Sequence, residues 1–154
     1  MCDLPIDVID EEKIVRAVMC PSHLKKDKKT LKPAAFRSKA GTDEVSVIRQ
    51  THMGTNFCKA KAKEIAGGSA VIEYAGLAVL QASQIRSAGS AIQDSRDEFC
   101  GHAHISHGFI LQADEPPDSA DNLAVTERCR TLITLATYHA DPQPDTQEWT
   151  GQPL

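Results

Sequence analysis

The chain has 154 residues, of which 41% are apolar and 25% are charged, and these are ordinary values for a globular domain. No apolar run approaches the roughly 18 consecutive residues that a membrane-spanning helix needs, so the composition favours a soluble protein that does not interact with a membrane. The formal net charge of −4 is unevenly distributed, because the segment from His23 to Ala40 has seven Lys or Arg against one Asp.

The N-terminal residues and the cysteines indicate a compartment. The opening sequence MCDLPIDVIDEEK is acidic and lacks the basic start and apolar core of a secretory signal, which favours a cytoplasmic location. Five cysteines are an odd number, and their irregular spacing argues against a disulfide framework and for reduced thiols. They are Cys2, Cys20, Cys58, Cys100 and Cys129.

The pattern along the chain predicts one α+β domain at 13–140, between an acidic N-terminal segment at 1–12 and a Pro-rich C-terminal tail at 141–154. A chain of this length rarely divides its core between two domains. Strands and helices alternate irregularly, which is typical of a mostly antiparallel sheet with two main helices rather than of a doubly wound sheet.

The first two predicted strands each carry a polar side chain. The β-branched run at 14–19 predicts a buried strand that contains Arg16, whose charge must reach a carboxylate, a ligand or solvent because an unpaired buried charge is costly. The second predicted strand, at 44–49, alternates apolar and polar residues and contains Ser46.

The next elements are a helix and a longer strand. Thr55 can cap a helix that Gly67 and Gly68 end, and its lysines are spread around it as solvated charges would be. These lysines are Lys59, Lys61 and Lys63, and the residues expected near the buried face are Phe57, Cys58, Ala62 and Ile65. Residues 70–81 have the composition of a strand, in which Gly76 indicates a bulge, a bend or a close backbone approach.

The second half of the chain continues with one or two helical turns at 82–89, a short strand at 91–94 and a strand candidate at 102–111. An acidic loop then leads into the best helix of the sequence. Its apolar residues recur at the spacing of one buried stripe, and they are Val125, Cys129, Leu132, Ile133 and Ala136.

The sequence CGHAHISH, at 100–107, contains the candidate catalytic histidines. Side chains at i and i+2 share one face of a strand, so His102 and His104 project together. A histidine at a cleft can transfer protons or hold a phosphate, and Arg16 and Ser46 are the other polar groups that such a cleft could collect. The alternatives are ordinary hydrogen bonding for the histidines and a structural ion pair for Arg16.

A metal site is a further alternative. Cys100 would be in phase with the two histidines, and the Cys20–His23 pair could supply two more ligands for zinc, although neither pair belongs to a known zinc pattern. No Gly-rich phosphate loop, nucleophile elbow or paired-carboxylate signature is present, so the sequence indicates no particular cofactor.

The basic segment is the candidate partner surface. A dense cluster of cations on an acidic protein can attract nucleic acid or an acidic protein, although such segments are also found simply as solvated loops. The residues assigned to this surface are Lys25, Lys26, Lys28, Lys29, Lys32 and Arg37.

Six sequence segments, "IVRAV", "LKPAAFR", "DEVSVIR", "FCKAKAKEIAG", "YAGLAVLQASQIRSAG" and "HAHI", carry a resemblance over about residues 13–139. In this order they resemble a group of small uncharacterised bacterial proteins with an arginine strand, a Pro-x-x-Phe segment, a Ser-Val strand and a His-Ala-x-Ile strand. An arginine on a first strand followed by a serine on a second is also similar to the start of ADP-ribosyltransferase-like folds. The late catalytic glutamate of those enzymes has no counterpart in this sequence.

Three hypotheses follow. The preferred one is a cytoplasmic bacterial accessory or interaction protein that binds a protein or nucleic acid through the basic loop, without a well-formed catalytic cleft. The second is a small nucleotide- or NAD-acting enzyme in which Arg16, Ser46 and His102 converge in one pocket. The third is a small metal-binding domain that uses Cys20, His23, Cys100, His102 and His104.

Overall fold

The computed structural model describes residues 1–154 as one six-stranded antiparallel sheet in the order β4-β5-β2-β1-β3-β6. The strands are β1 (Lys13–Cys20), β2 (Val45–Arg49), β3 (Glu73–Gln81), β4 (Ala91–Asp94), β5 (His102–Ser106) and β6 (Thr137–Ala140). The helices are α1 (Gln50–Met53), α2 (Thr55–Gly67), α3 (Ala82–Ser87) and α4 (Ala120–Leu135), with a 3-10 helix at Pro33–Phe36. The predicted α+β class with two main helices is confirmed, and no helix is long and apolar enough to cross a membrane.

Helices cover both faces of the sheet. Alternation along β1 places Ile14 and Val18 in the larger core cluster, which also contains the buried stripe of α4, and Val15 and Ala17 in a smaller cluster under α2. Between Ile14 and Met19 the central strand β1 is therefore apolar on both faces except at Arg16, and its sequence is a nearly continuous apolar run.

The central strands β1 and β2 pair over a short distance only. Their paired residues are Ile14 with Arg49 and Val15 with Ile48, although β1 continues to Cys20 and β2 begins at Val45. By contrast, β1 pairs with β3 along its whole length. The sheet therefore opens between its two central strands, and the candidate site lies at this opening.

Gly76 fulfils the predicted role of a bulge and a close approach. The β1–β3 register shifts between Val18, opposite Gly76, and Met19, opposite Tyr74, so that β3 has one extra residue there. A Cβ atom at position 76 would overlap the backbone of β6 at His139 and Ala140. Only glycine fits at this crossing.

Several local predictions are wrong. Helix α2 begins at Thr55, but the hydroxyl of Thr55 accepts a hydrogen bond from Gln50 instead of capping the helix. Ile65 is 48% exposed rather than part of the core. The strand predicted at 102–111 ends at Ser106, and the strand β6 was not predicted, because a four-residue edge strand directly after a helix has too few residues to show a period of two.

Two buried cations attach the terminal segments to the domain. The guanidinium of Arg49 is fully buried between Glu12 and Asp94, and it also donates to the carbonyl oxygens of Pro5 and Asp7. Lys59, which was predicted to be solvated, is also fully buried. Its ammonium group lies 3.0 Å from the carboxylate of Asp141 and donates to C-terminal carbonyl oxygens. This prediction failed because a helix position that a tail covers cannot be recognised from helical spacing alone.

A disulfide joins Cys2 to Cys100, so the expectation that all five thiols are reduced is wrong. The N-terminal segment reaches this bond across Arg96, which donates to the carbonyl oxygens of Cys2 and Leu4. Cys20, Cys58 and Cys129 are free thiols, and burial raises the pKa of Cys58 to about 12 and that of Cys129 to about 11.

Replacement of Gly76 by alanine is expected to lower the free energy of unfolding by about 1–3 kcal/mol, because the added methyl group must displace the β6 backbone. Gly67→Ala is the matched control, since nothing lies within 4 Å of a Cβ at that helical position. Denaturant unfolding of both variants measures the difference. Equal stability of the two variants would contradict the tight β3–β6 crossing.

Candidate functional site

A pocket of about 600 Å³ lies at the opening between β1 and β2. All four predicted catalytic residues line it, namely Arg16, Ser46, His102 and His104. Its volume is within the range of about 300–1,000 Å³ that is usual for small-molecule sites. The convergence that the enzyme hypothesis required is therefore present in the structure.

Ser46 and His102 form the central pair of this pocket. Ser46 Oγ lies 2.6 Å from His102 Nε2, and His102 Nδ1 lies 3.1 Å from the carbonyl oxygen of Ser95. A carbonyl oxygen only accepts hydrogen bonds, so Nδ1 must carry the proton and the neutral ring presents an unprotonated Nε2 to the serine. Ser46 then donates its hydroxyl proton to Nε2, which is the arrangement of a serine with its general base.

The loop at 95–101 holds the imidazole of His102 in place. Besides the contact to Nδ1, Ser95 donates its backbone N–H to the carbonyl of His102, and the N–H of His102 donates to Phe99. The ring of Phe99 meets the imidazole edge-on at 4.9 Å between centroids. Since Cys100 is bonded to Cys2, the disulfide anchors this loop two residues before His102.

Burial lowers the pKa of His102 below its ordinary value of 6.5, while the bond to Ser95 and the nearby Glu98 and Glu44 carboxylates act in the opposite direction. His102 is therefore neutral at pH 7. A neutral imidazole is the form that can accept a proton from Ser46.

His104 lies next to this pair. It is opposite Ser46 in the β2–β5 register and lines the same pocket. Its Nδ1 is buried and has no hydrogen-bond partner. The prediction that His102 and His104 share one face of a strand is correct, and the ordinary hydrogen bonding that was the alternative does not account for His104 Nδ1.

Arg16 is the one charged side chain in the interior of β1, and it has no carboxylate partner. Its Nε donates to the carbonyl of Ala35 at 2.8 Å and its Nη1 to the carbonyl of Ser46 at 2.9 Å. The Ser46 carbonyl faces β1 beyond the last β1–β2 pair, so the guanidinium takes the place of a ladder hydrogen bond. Burial lowers the pKa of Arg16 to about 10, and the group is still protonated at neutral pH. The ion pair considered from the sequence is absent.

Two further cations of the pocket come from the segment after the 3-10 helix. Arg37, which was assigned to the partner surface, lines the pocket and donates to two neutral oxygens on α4, those of Thr126 and Asn122. Lys39, which no prediction singled out, lines the pocket without an ion pair. They belong to the same basic segment as the exposed loop, which is the reason why sequence patterning could not separate them from it.

The remaining walls are acidic and apolar. Glu44 and Glu98 line the side near His102, and Ile65 and Ile72 line the pocket as well. Neither carboxylate is in ion-pair contact with a pocket cation. The pocket thus combines a cationic part, an acidic side and an apolar wall.

A second serine–histidine pair provides a comparison. Ser90 Oγ lies 2.7 Å from His107 Nδ1, and His107 Nε2 lies 2.7 Å from the carbonyl of Phe36. This pair has the same chain of serine, imidazole and carbonyl, but the two ring nitrogens are exchanged, and His107 is completely buried in the core and lines no part of the pocket. The two pairs therefore differ in the ring nitrogen that faces the serine and in access to the pocket.

The predicted metal ligands do not come together. Cys100 is bonded to Cys2, and no group of three or more His, Cys, Asp or Glu side chains has the geometry to hold a metal ion. His23 lines the pocket, where its Nδ1 accepts the backbone N–H of Met19.

The basic loop is a separate feature. Leu24 and Leu31 are buried and form an isolated bridge, which holds the segment between them as a turn with exposed lysines. Asp27 accepts hydrogen bonds from the Thr30 hydroxyl and from the backbone N–H groups of Lys29 and Thr30, and these bonds lower its pKa to about 2. Lys32 is half-buried, and its backbone N–H donates to the carbonyl oxygen of His23. The exposed lysines of the turn, called the lysine turn below, are Lys25, Lys26, Lys28 and Lys29.

Comparison with known proteins gave no match: no family model, no curated protein and no solved structure matches this chain.

The stability of the protein should fall between pH 6.5 and pH 4 partly because of His23. Burial, followed by the nearby charge of Arg16, lowers the pKa of His23 from 6.5 to about 4. Between these values the unfolded chain binds a proton at His23 that the folded chain does not, so stability is lost as the pH falls. This loss is up to about 2.5 kcal/mol at pH 4.5. His23→Gln should reduce it, as measured by urea unfolding at pH 7 and pH 4.5, and an unchanged difference would contradict the buried neutral histidine.

Proposed function

We propose that the protein is a small enzyme in which Ser46 is the nucleophile and His102 its general base, acting on an anionic substrate such as a nucleotide. The observation that carries the proposal is the 2.6 Å contact of Ser46 Oγ with His102 Nε2, in a pocket and with the tautomer fixed by Ser95. An isolated serine hydroxyl is a weak nucleophile, and an adjacent base of this geometry is what activates it.

The chemical step follows from the positions of the protons. Ser46 Oγ forms a bond to the electrophilic centre of the substrate while its proton moves to His102 Nε2. The bond to the leaving group breaks, and the imidazolium returns the proton to that group. Water, activated by the same nitrogen, then releases the group bound to Ser46. The Ser95 carbonyl accepts from Nδ1–H throughout and stabilises the imidazolium.

The pocket favours this proposal over the accessory-protein hypothesis, which expected no well-formed cleft. The unpaired Arg16 favours an anionic substrate, because a buried cation without a carboxylate partner gains most from a negatively charged ligand. The ADP-ribosyltransferase-like alternative remains a proposal for the same substrate class, since NAD also carries phosphate groups.

Reaction with a fluorophosphonate probe tests the nucleophile. Ser46 Oγ should attack the phosphorus, release fluoride and retain the phosphonyl group, which peptide mass spectrometry locates. Ser46→Ala should abolish labelling, and His102→Ala should slow it on the order of 10²–10⁴-fold. Because the pKa of His102 is lowered, the rate should be constant around pH 7 and fall only at acidic pH.

The buried pair supplies the control for this experiment. Ser90 also lies within hydrogen-bond distance of an imidazole nitrogen but has no access to the pocket, so its peptide should stay unmodified in the native protein. No labelling at Ser46, or labelling that is equally fast in the His102→Ala variant, would overturn the proposed function.

A second candidate function, partner binding by the lysine turn, is supported by the exposure of its four lysines and by the engagement of Asp27 within the turn. Replacing Lys25, Lys26, Lys28 and Lys29 by glutamine should weaken binding of single- or double-stranded oligonucleotides. The affinity of the unaltered protein should fall steeply as salt rises, because phosphate contacts release counterions. Filter binding at several salt concentrations measures this, and binding that does not depend on salt would exclude nucleic acid as the partner.

A further inference from the structure

None of the cationic side chains that line the pocket forms an ion pair with a carboxylate. Arg16 donates its Nε–H and one Nη1–H to backbone carbonyls. Three of its five guanidinium N–H groups therefore have no protein acceptor. Arg37 contacts only a hydroxyl and an amide oxygen. Lys39 has no ion pair, and the pocket carboxylates form none either.

Arg49 shows what a purely structural buried arginine looks like in this chain. It is completely buried, and two carboxylates, those of Glu12 and Asp94, lie 2.8 Å and 2.7 Å from its nitrogens. Arg16 is on the neighbouring strand and is mostly buried as well, yet its partners are neutral. Arg49 is neutralised by two carboxylates, whereas Arg16 has none and lines the pocket.

The pocket is more cationic than the rest of the protein. Three cationic side chains line it, Arg16, Arg37 and Lys39, against two carboxylates, while the whole chain has a net charge of −4. Glu44 and Glu98 lie close enough to His102 to influence its pKa. The field of the pocket is therefore suited to a small multiply charged anion rather than to a neutral ligand.

We infer that Arg16, Arg37 and Lys39 form a subsite for the phosphate group of the substrate. The planar donors of two arginines suit several oxygens of one tetrahedral anion, whereas a carboxylate offers only two oxygens in one plane. The hydrogen bond from Arg16 to the Ser46 carbonyl places this subsite beside the proposed nucleophile. The substrate class is thus a phosphate-bearing ester of the size of a mononucleotide. This inference rests on the proposed function for the reacting group, but not for the binding of phosphate.

Calorimetric titration of the full chain with inorganic phosphate, and with adenosine monophosphate as a larger ligand, tests the subsite. Arg16→Met should weaken binding of both ligands at least about tenfold, the effect of losing charge-assisted hydrogen bonds. Arg130→Met is the matched control, because it removes the same guanidinium charge from an exposed position of α4, outside both the pocket and the lysine turn, and should leave binding unchanged. Arg37→Met provides a second variant at the pocket, and circular dichroism verifies that each variant is folded.

The outcomes separate the inference from the proposed function. Ser46→Ala should retain phosphate binding, so binding without fluorophosphonate labelling would support the subsite and overturn the nucleophile. Labelling without phosphate binding would overturn the subsite alone. An equal loss in Arg130→Met and Arg16→Met, or acetate competing as well as phosphate, would also overturn the phosphate assignment.

Discussion

The site depends on the short ladder between the two central strands. Because β1 and β2 pair only at Ile14–Arg49 and Val15–Ile48, the backbone groups beyond this point need other partners, and Arg16 supplies one by donating to the Ser46 carbonyl. The same opening exposes Ser46 to a pocket in the middle of a sheet that has an apolar core cluster with helical residues on each face. A complete ladder would close the pocket and leave the Arg16 guanidinium without its acceptor.

The site also requires the imidazole of His102 to be held in one orientation, and distant parts of the chain contribute to this. His102 is oriented by the loop at 95–101, and this loop is held by the Cys2–Cys100 disulfide. The N-terminal segment that brings Cys2 there is itself bound through the buried Arg49. The acidic N-terminal segment is thus a structural support of the site rather than an appendage, although its composition resembles that of a solvated tail.

The sequence was informative where a period or a chemical cost was visible. The central strand, the α4 stripe, the role of Gly76 and the shared face of His102 and His104 follow from alternation and helical spacing, and the cost of burying a charge singled out Arg16. Contacts between remote segments have no such signature. The disulfide, the burial of Lys59 under the C-terminal tail and the position of Arg37 in the pocket each depend on how distant segments meet, and local pattern contains no information on that.

The protonation state of His102 tests the central claim most directly, because a general base for Ser46 must present an unprotonated Nε2. Nitrogen-15 NMR of the imidazole at pH 7 distinguishes the two ring nitrogens. The account predicts a protonated Nδ1, an unprotonated Nε2 that accepts a hydrogen bond, and a change in the Nε2 shift when Ser46 is replaced by alanine. A proton on Nε2 at neutral pH, or an Nε2 shift that is the same with and without Ser46, would contradict it.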